Sequence, residues 1–255
     1  MIEDLLAANK AWSERKQKAD PDFFLRLAAQ QAPEYLWIGC SDSRVPANDI
    51  VGRDPGEMFV HRNVANLCTP SDLNFLSVVQ YAVDVLKVRR ILVVGHYGCG
   101  GVLASLGEPK NGLVDHWLGP IRALAAEKKA ELDALPDAHA RHDRLVELNV
   151  LHQVALLNDN PIIINARERG QAVGIHGWVY SLKNGLVTDL HTPSPPGALD
   201  PGPSPRATSM EPLGGPYAQT LEATAAPAPA ATPVSEAPLA QPIPQKKKGL
   251  FGRSN

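Results

Sequence analysis

The chain lacks several features that mark common classes of protein. Its 255 residues contain only three cysteines and carry a formal net charge of −2. So small a charge argues against binding to nucleic acid or to an anionic membrane. No apolar run approaches the ~18 residues of a membrane span, and the first residues lack the basic and apolar regions of a secretory signal. We therefore expect a cytoplasmic protein without a membrane span, whose thiols stay reduced.

The composition changes sharply near residue 192. Residues 192–255 hold 14 of the 23 prolines, together with many Ala, Ser and Thr and few large apolar residues. Such a segment cannot bury enough surface to offset the entropy lost on ordering it. We predict a folded domain over residues 1–191 and a flexible tail over residues 192–255. The three lysines at 246–248 could touch an acidic partner, although a solvated end is the simpler interpretation.

Helical and strand patterns alternate within residues 1–191. Helices are expected at 2–18, 22–32, 72–86, 112–131 and 141–158, and strands at 35–39, 57–61, 90–95 and 161–165. A hairpin should join 173–182 to 186–190 across the Asn184-Gly185 turn. This alternation predicts an α/β fold with a mostly parallel central sheet, helices on both faces and an added edge strand or hairpin.

Two short segments carry groups that bind divalent metals, and each follows an apolar run. They are Cys40-Ser41-Asp42-Ser43-Arg44 and His96-Tyr97-Gly98-Cys99-Gly100-Gly101. Side chains two apart on an extended chain share one face, so those of the first segment can converge. The second segment leads into a helix, whose N-terminus would favour a thiolate. Because open α/β sheets build sites at the carboxyl ends of their strands, we expect one shared site.

The four candidate ligands indicate a catalytic zinc site. Cys40, Asp42, His96 and Cys99 offer two sulfurs, an imidazole and a carboxylate, which Zn²⁺ accepts in a tetrahedral shell. A carboxylate that Arg44 can draw off the metal would open a position for water. Any one of these residues is more often structural, but four together at two strand ends are not. Cys68, which has no partner at metal spacing, is interpreted as a core residue.

Over residues 1–191 the sequence resembles a β-class carbonic anhydrase of the bacterial type. The resemblance rests on the two metal segments, on the preceding residues 35–39, and on Phe59-Val60-His61-Arg62-Asn63-Val64-Ala65-Asn66. It implies one zinc ion per chain and the reversible hydration of CO2 to bicarbonate and a proton, by attack of a zinc-bound hydroxide. A related zinc hydrolase of another small linear molecule such as CS2, or a catalytically silent zinc-binding homologue, stays open as an alternative. A thiol redox protein is disfavoured, because no C-x-x-C motif is present.

The resemblance also assigns roles to the residues of the metal site. It implies that Cys40, His96 and Cys99 are permanent zinc ligands. Asp42 is then either the fourth ligand or the ion-pair partner of Arg44 while water takes its place. The pair would keep Asp42 ionised, so that its carboxylate can accept a proton from the attacking group.

A pocket for CO2 is implied beside the metal. Its residues match positions Gln31, Phe59, Val64, Tyr81 and Gly100 of this chain. The amide of Gln31 and the apolar side chains would hold a small, weakly polar molecule. Phe59 and Val64 fit ordinary core positions equally well, and the two interpretations are compatible.

Further resemblances concern regulation and assembly. Trp37, Arg62 and Tyr180 match residues that bind bicarbonate away from the zinc in some bacterial members, where bicarbonate inhibits. An indole N–H, a guanidinium and a phenol O–H can all donate to a small anion, but a buried Trp, a structural Arg and a strand Tyr explain them as well. The family also implies a homodimer or a dimer of dimers. The helices of residues 1–32 are amphipathic, so they could wrap a partner subunit.

Overall fold

The computed structural model describes residues 2–29, 32–42, 44–110, 112–195, 198–199 and 201–202. Within these residues, five strands alternate with ten α-helices. The strands are β1 (Tyr35–Cys40), β2 (Met58–Asn63), β3 (Arg90–His96), β4 (Gly174–Tyr180) and β5 (Val187–Asp189). The helices are α1 (Ile2–Ala19), α2 (Phe23–Ala29), α3 (Ala47–Ile50), α4 (Leu73–Gln80), α5 (Gly100–Leu106), α6 (Leu113–Trp117), α7 (Gly119–Glu127), α8 (Lys129–Asp133), α9 (Ala138–Asn158) and α10 (Pro161–Glu168).

The five strands form one sheet in the order β2-β1-β3-β4-β5. The first four strands are parallel, and β5 pairs antiparallel with β4 at the edge. This confirms the predicted α/β fold with a hairpin at one edge. Strand β1 leads to β2 on one side, whereas β3 leads to β4 on the other, so the direction of winding reverses between β1 and β3. The carboxyl ends of these two strands flank the crevice where open α/β sheets place their sites.

Alternate residues of each strand enter two different apolar layers, as the pleat of a strand requires. On one face, Leu36, Ile38 and Cys40 of β1 join the larger core, which includes most of the buried side chains of α9. On the other face, Trp37 lies in a smaller layer with Leu92. Cys40 therefore points toward the helical side of the sheet.

Helix α9 packs closely against β3 and β4. A side chain at Gly95 of β3 would place its Cβ 2.7 Å from Val150 Cγ2 of α9, which is closer than atoms approach. The missing side chain at position 95 therefore lets the helix lie against the strand that carries His96. The C-terminal end of β3 and α9 are thus in direct contact next to His96, where the second metal segment begins.

Three expected elements differ from the structure. The helix expected at 72–86 is α4 followed by a π-helical turn, Tyr81–Val85. The helix expected at 112–131 is broken into α6, α7 and α8. The strand expected at 161–165 is wrong, because these residues begin α10. Asn160 caps that helix by accepting a hydrogen bond from the Ile162 N–H, and Pro161 occupies its first position, where its missing N–H costs nothing.

Among the described residues, no helix combines the length and the apolar character needed to cross a bilayer.

Candidate metal centre

Strands β1 and β3 bring the two metal segments together. They are neighbours in the sheet, and Gly39 pairs with Val94, so Cys40 at the end of β1 lies beside the end of β3 at His96. The backbone then turns through Gly98, in the left-handed region at φ 74°, and reaches Cys99 immediately before α5. The expected helix after Cys99 is therefore confirmed.

Three side chains form a cluster with the geometry of a zinc site. The sulfurs of Cys40 and Cys99 and a ring nitrogen of His96 all lie within 4.8 Å of one another, and all three residues are buried. The two sulfurs are 3.9 Å apart. Two thiolates at 2.3 Å from one ion in a tetrahedral shell would be about 3.8 Å apart. The spacing of the sulfurs therefore suits zinc.

The hydrogen bonding of His96 leaves one ring nitrogen for a metal. Its Nδ1 lies 3.2 Å from the carbonyl oxygen of Tyr97, which can only accept, so Nδ1 carries the proton. Its Nε2 is buried and has no hydrogen-bond partner within the residues that the structure describes. The Asp42 Oδ2 is 3.8 Å away from Nε2, beyond hydrogen-bond distance. A buried imidazole lone pair without a donor is what a metal ligand requires.

The two cysteines differ in their electrostatics. The pKa of Cys40 lies well below its usual range, chiefly because of its hydrogen bond with Cys99, and the N–H groups of Asp42 and Ala65 lower it further. The pKa of Cys99 is raised by that same hydrogen bond and by burial. Their hydrogen bond therefore favours a thiolate on Cys40 and a proton on Cys99. A divalent cation would displace that proton and bind both as thiolates.

Asp42 is paired with Arg44 at the rim of the cluster. Arg44 donates through Nη2 to Asp42 Oδ2 at 2.6 Å and through Nε to Oδ1 at 3.0 Å. This guanidinium lowers the pKa of Asp42, as does the Arg44 backbone N–H, so the carboxylate is ionised at any ordinary pH. Of the two arrangements expected for Asp42, the structure has the ion pair. The three-residue cluster does not include it.

Among the residues expected to form the substrate pocket, the structure shows two separate contacts. The rings of Phe59 and Tyr81 contact each other, with centroids 5.8 Å apart. Val64 is 38% exposed and lies against Gly101, where an added Cβ would meet its Cγ1 at 2.9 Å. At Gly100 an added Cβ would meet nothing within 4 Å, so the space beside it is open. Gln31 lies outside the described residues.

Of the three residues expected to bind bicarbonate, two lie in an apolar layer and the third contacts the backbone of the first metal segment. Trp37 and Tyr180 both contribute to the smaller apolar layer. Arg62 instead holds the first metal segment, because its guanidinium donates to the carbonyl oxygens of Cys40, at 2.7 Å, and of Val45. The structure does not show these three side chains converging on one point.

Sequence reasoning missed the contacts that hold the second metal segment. The Tyr97 hydroxyl donates to Glu147 Oε1 of α9 at 2.8 Å, and Arg144 in turn donates to Glu147 Oε2 at 2.7 Å. His142 of the same helix lies with its Nε2 3.0 Å from the carbonyl oxygen of Cys99. The available signal was His142, a polar residue on the face of α9 that carries Leu145, Val146 and Leu148, since a buried polar residue requires a partner.

Comparison with known proteins agrees with this geometry. A family model for carbonic anhydrase matches residues 35–187. A carbonic anhydrase from the fungus Emericella nidulans is 48% identical over 191 residues, covering 75% of this chain and 84% of that protein. One from Pseudomonas aeruginosa is 39% identical, covering 68% and 80%. A structure from a study of two tetrameric β-carbonic anhydrases of Sordaria macrospora is 42% identical, with a TM-score of 0.70 over 74% of this chain and 96% of that one.

The chain therefore belongs to the carbonic anhydrase family. Within that family it is a β-class enzyme, which uses zinc to hydrate carbon dioxide. The expectation of a bacterial-type member is confirmed only as far as the β class. The fungal relative at 48% identity is more similar than the bacterial one at 39%.

Proposed function

We propose that Cys40, His96 and Cys99 hold one zinc ion and that Asp42, paired with Arg44, acts beside it in the hydration of CO2. One observation carries the proposal: a buried Nε2 without a hydrogen-bond partner, close to two sulfurs at zinc spacing. When bound, zinc lowers the pKa of a water ligand and makes it a nucleophile near neutral pH. The remaining steps fall to the chain's own side chains.

Asp42 orients the attacking water. Its carboxylate is ionised and therefore only accepts hydrogen bonds. With Oδ2 3.8 Å from His96 Nε2, it stands next to the metal-binding atoms. By accepting a hydrogen from the attacking water, it directs an oxygen lone pair toward the carbon of CO2. Arg44 holds both carboxylate oxygens and keeps them from being protonated.

The substrate occupies the apolar space lined by Phe59, Val64 and Tyr81, with the amide of Gln31 as a further proposed contact. CO2 carries no charge and binds without a strong hydrogen bond, so an apolar wall suits it. Bicarbonate is charged and is poorly solvated by the same wall, which favours its release to water.

The proposal is tested by replacing the carboxylate. Asp42→Asn keeps the shape of the side chain but lets it donate, and we expect CO2 hydration in stopped flow to fall at least tenfold while one zinc per chain is retained. Asp49→Asn, which removes an exposed carboxylate on α3, is the matched control and should keep the full rate. Full activity in Asp42→Asn would contradict the role of Asp42. Wild-type protein that binds zinc but hydrates no CO2 would indicate a silent homologue or another substrate.

We further propose that the enzyme is a homodimer or a dimer of dimers. The β-carbonic anhydrases of Sordaria macrospora are tetrameric. In support, α1 and α2 bury no residue within one chain. Their apolar side chains Leu5, Leu6 and Leu25 are each more than two-thirds exposed, so a partner subunit is proposed to cover them. Light scattering should give a multiple of the 27.4 kDa chain mass. Replacing both Leu5 and Leu6 by Ser should lower it, whereas Leu186→Ser in the hairpin should not.

Inhibition by bicarbonate at Trp37, Arg62 and Tyr180 is a separate proposal. It is favoured by the Trp37 Nε1, which is buried and has no hydrogen-bond partner in the part of the chain that the structure describes, since buried donors normally have one. Trp37→Phe should then weaken inhibition of hydration by added bicarbonate. Trp178→Phe removes another indole with a buried Nε1, packed against the same layer, and serves as the control. Equal inhibition in all three proteins would refute a bicarbonate site here.

We also propose that the enzyme works in the cytoplasm. Its three cysteines are unpaired, and the two that bind the metal require reducing conditions. Fractionation of cells that express the untagged protein, with activity assayed in each fraction, tests the compartment.

A further inference from the structure

Helix α9 carries a row of buried polar side chains directed at the backbone around the metal centre. His142, Asn149 and Gln153 are 6%, 1% and 1% exposed. Their spacing of seven and four residues places them on one stripe of the helix. Burying such groups is unfavourable unless each is hydrogen-bonded, so their partners are of interest.

Two of the three hold the turn that follows β2. Asn149 donates through Nδ2 to the carbonyl oxygen of Ala65 at 3.0 Å. Gln153 accepts the N–H of Cys68 at 2.7 Å. Gln153 also donates through Nε2 to Asn149 Oδ1 at 2.9 Å, which fixes which way the Asn149 amide points. The turn is therefore tied to α9 at two places, and the two ties are coupled.

The turn needs such ties because its backbone is unfavourable. Ala65 and Asn66 have φ values of 65° and 49°, in the left-handed region that side chains other than glycine rarely adopt. Ala65 is fully buried. A conformation of this kind persists only where its surroundings impose it, and it occurs most often at functional sites.

The Ala65 peptide also reaches the metal centre. Ala65 lies in the same buried cluster as Cys40 and Cys99, and a Cβ added at Gly101, two residues after Cys99, would lie 3.1 Å from the Ala65 Cβ. The Ala65 N–H favours the Cys40 thiolate and so lowers the pKa of that thiol, while its carbonyl oxygen accepts from Asn149. A hydrogen bond to a sulfur stabilises its ionised form, and the thiolate is the form that binds a metal. The orientation of this one residue thus connects a buried amide of α9 to a metal ligand.

We propose that Asn149 is a positioning residue for the metal centre, which holds the left-handed Ala65 so that its N–H meets the Cys40 thiolate. The inference rests on the proposed zinc site. Gln153 supports it by fixing the Asn149 amide, and no contact between Asn149 and the substrate is required.

The test compares zinc affinity and a cobalt spectrum in the full chain. Asn149→Leu removes the donor at nearly constant volume, and we expect the zinc dissociation constant, measured by chelator competition, to rise about 10- to 100-fold. In the cobalt-loaded protein the sulfur-to-cobalt charge-transfer band should shift. Val154→Ala, a core truncation on the same helix, is the control and should leave the affinity and the band unchanged.

Several outcomes are decisive. If Asn149→Leu and Val154→Ala give the wild-type band and affinity, Asn149 is merely structural and the inference fails. If Asn149→Leu does not fold, Gln153→Met replaces it and should shift the band from its wild-type position and weaken zinc binding; an unshifted band then overturns the inference. Wild-type protein that binds no zinc would overturn both the proposed zinc site and this inference, whereas normal wild-type zinc binding with no shift in the variants overturns this inference alone.

Discussion

Arg44 determines the charge of Asp42 at the rim of the metal centre. Its guanidinium lowers the pKa of Asp42, so the carboxylate is ionised well into the acid range. In Arg44→Gln that pKa should rise toward its ordinary value, and protonation would begin at a higher pH. We therefore expect kcat/KM for hydration to fall about 10- to 100-fold, with its acid limb displaced to higher pH.

The stability that the Asp42–Arg44 pair contributes is also lost as the pH falls. A depressed carboxyl pKa stabilises the fold above the pKa of the unfolded chain, and this contribution is lost as pH falls through the folded value. The predicted shift of the acid limb is measured in pH–rate profiles of Arg44→Gln and of a control, Arg53→Gln, which breaks a surface pair with Glu57. An unchanged acid limb in Arg44→Gln would disprove the coupling.

Cys68 should behave unlike the other two thiols. Burial raises its pKa far above neutral, so almost no thiolate forms, and the thiolate is the reactive species. We expect iodoacetamide to leave Cys68 unmodified in native protein and to reach it only after denaturation. Cys40 and Cys99 should become reactive once a chelator has removed the metal. Peptide mapping by mass spectrometry measures all three, and labelling of native Cys68 would contradict its place in the core.

At the scale of single residues, ligands were predictable and their supports were not. Cys40, His96 and Cys99 stand in compact segments whose chemistry is readable from spacing alone, and the structure brings them together. The left-handed backbone at Ala65 could not be predicted, since it is glycine, and not alanine, that commonly adopts this conformation. Arg62 was expected to meet an anion, yet it donates to backbone carbonyls of the first metal segment, a contact that depends on loop geometry.

Among the elements, α10 depends on its first residues. Asn160 accepts the Ile162 N–H at 3.0 Å, which satisfies one of the donors that a helix start leaves unpaired. Asn160→Ala should lower the free energy of unfolding by about 1 kcal/mol, with hydration unchanged because α10 contributes no residue to the metal centre. Urea unfolding measures the difference. Asn165→Ala, at an exposed position of the same helix, is the control, and equal stability of the two variants would argue against the cap.

The same helix shows where element prediction fails. Ile162, Ile163 and Ile164 form a short apolar run that suits a buried strand as well as one turn of a helix. Only the cap at Asn160 and the burial of one face, at Ile163 and Ala166, decide for the helix. Strands β1 and β3 were predictable because each apolar run is bounded by turn residues and buried on both sides of the sheet.

At the scale of the whole molecule, we consider the Pro-rich C-terminal segment, for which the sequence predicts a flexible tail from residue 192. Thr192 Oγ1 accepts the N–H of Gly177 at 3.2 Å, and Arg90 donates to the carbonyl oxygen of Gly202. We therefore expect a chain cut after Gly202 to keep hydration within about twofold and its melting temperature. A chain cut after Leu190 should melt lower, because it loses both contacts. Calorimetry with a rate assay on both truncations is the measurement, and a large loss of rate in the longer one would assign the tail a part in catalysis.

The two sulfurs of the metal centre stand 59 positions apart along the chain. An ion that grips both closes a loop of that length, and by the chain-entropy account of a cross-link such a closure is worth about 4 kcal/mol. The metal would thus fasten β1 to β3 as well as serve the reaction. Under zinc limitation, cells would then degrade the destabilised metal-free enzyme, in addition to losing its activity.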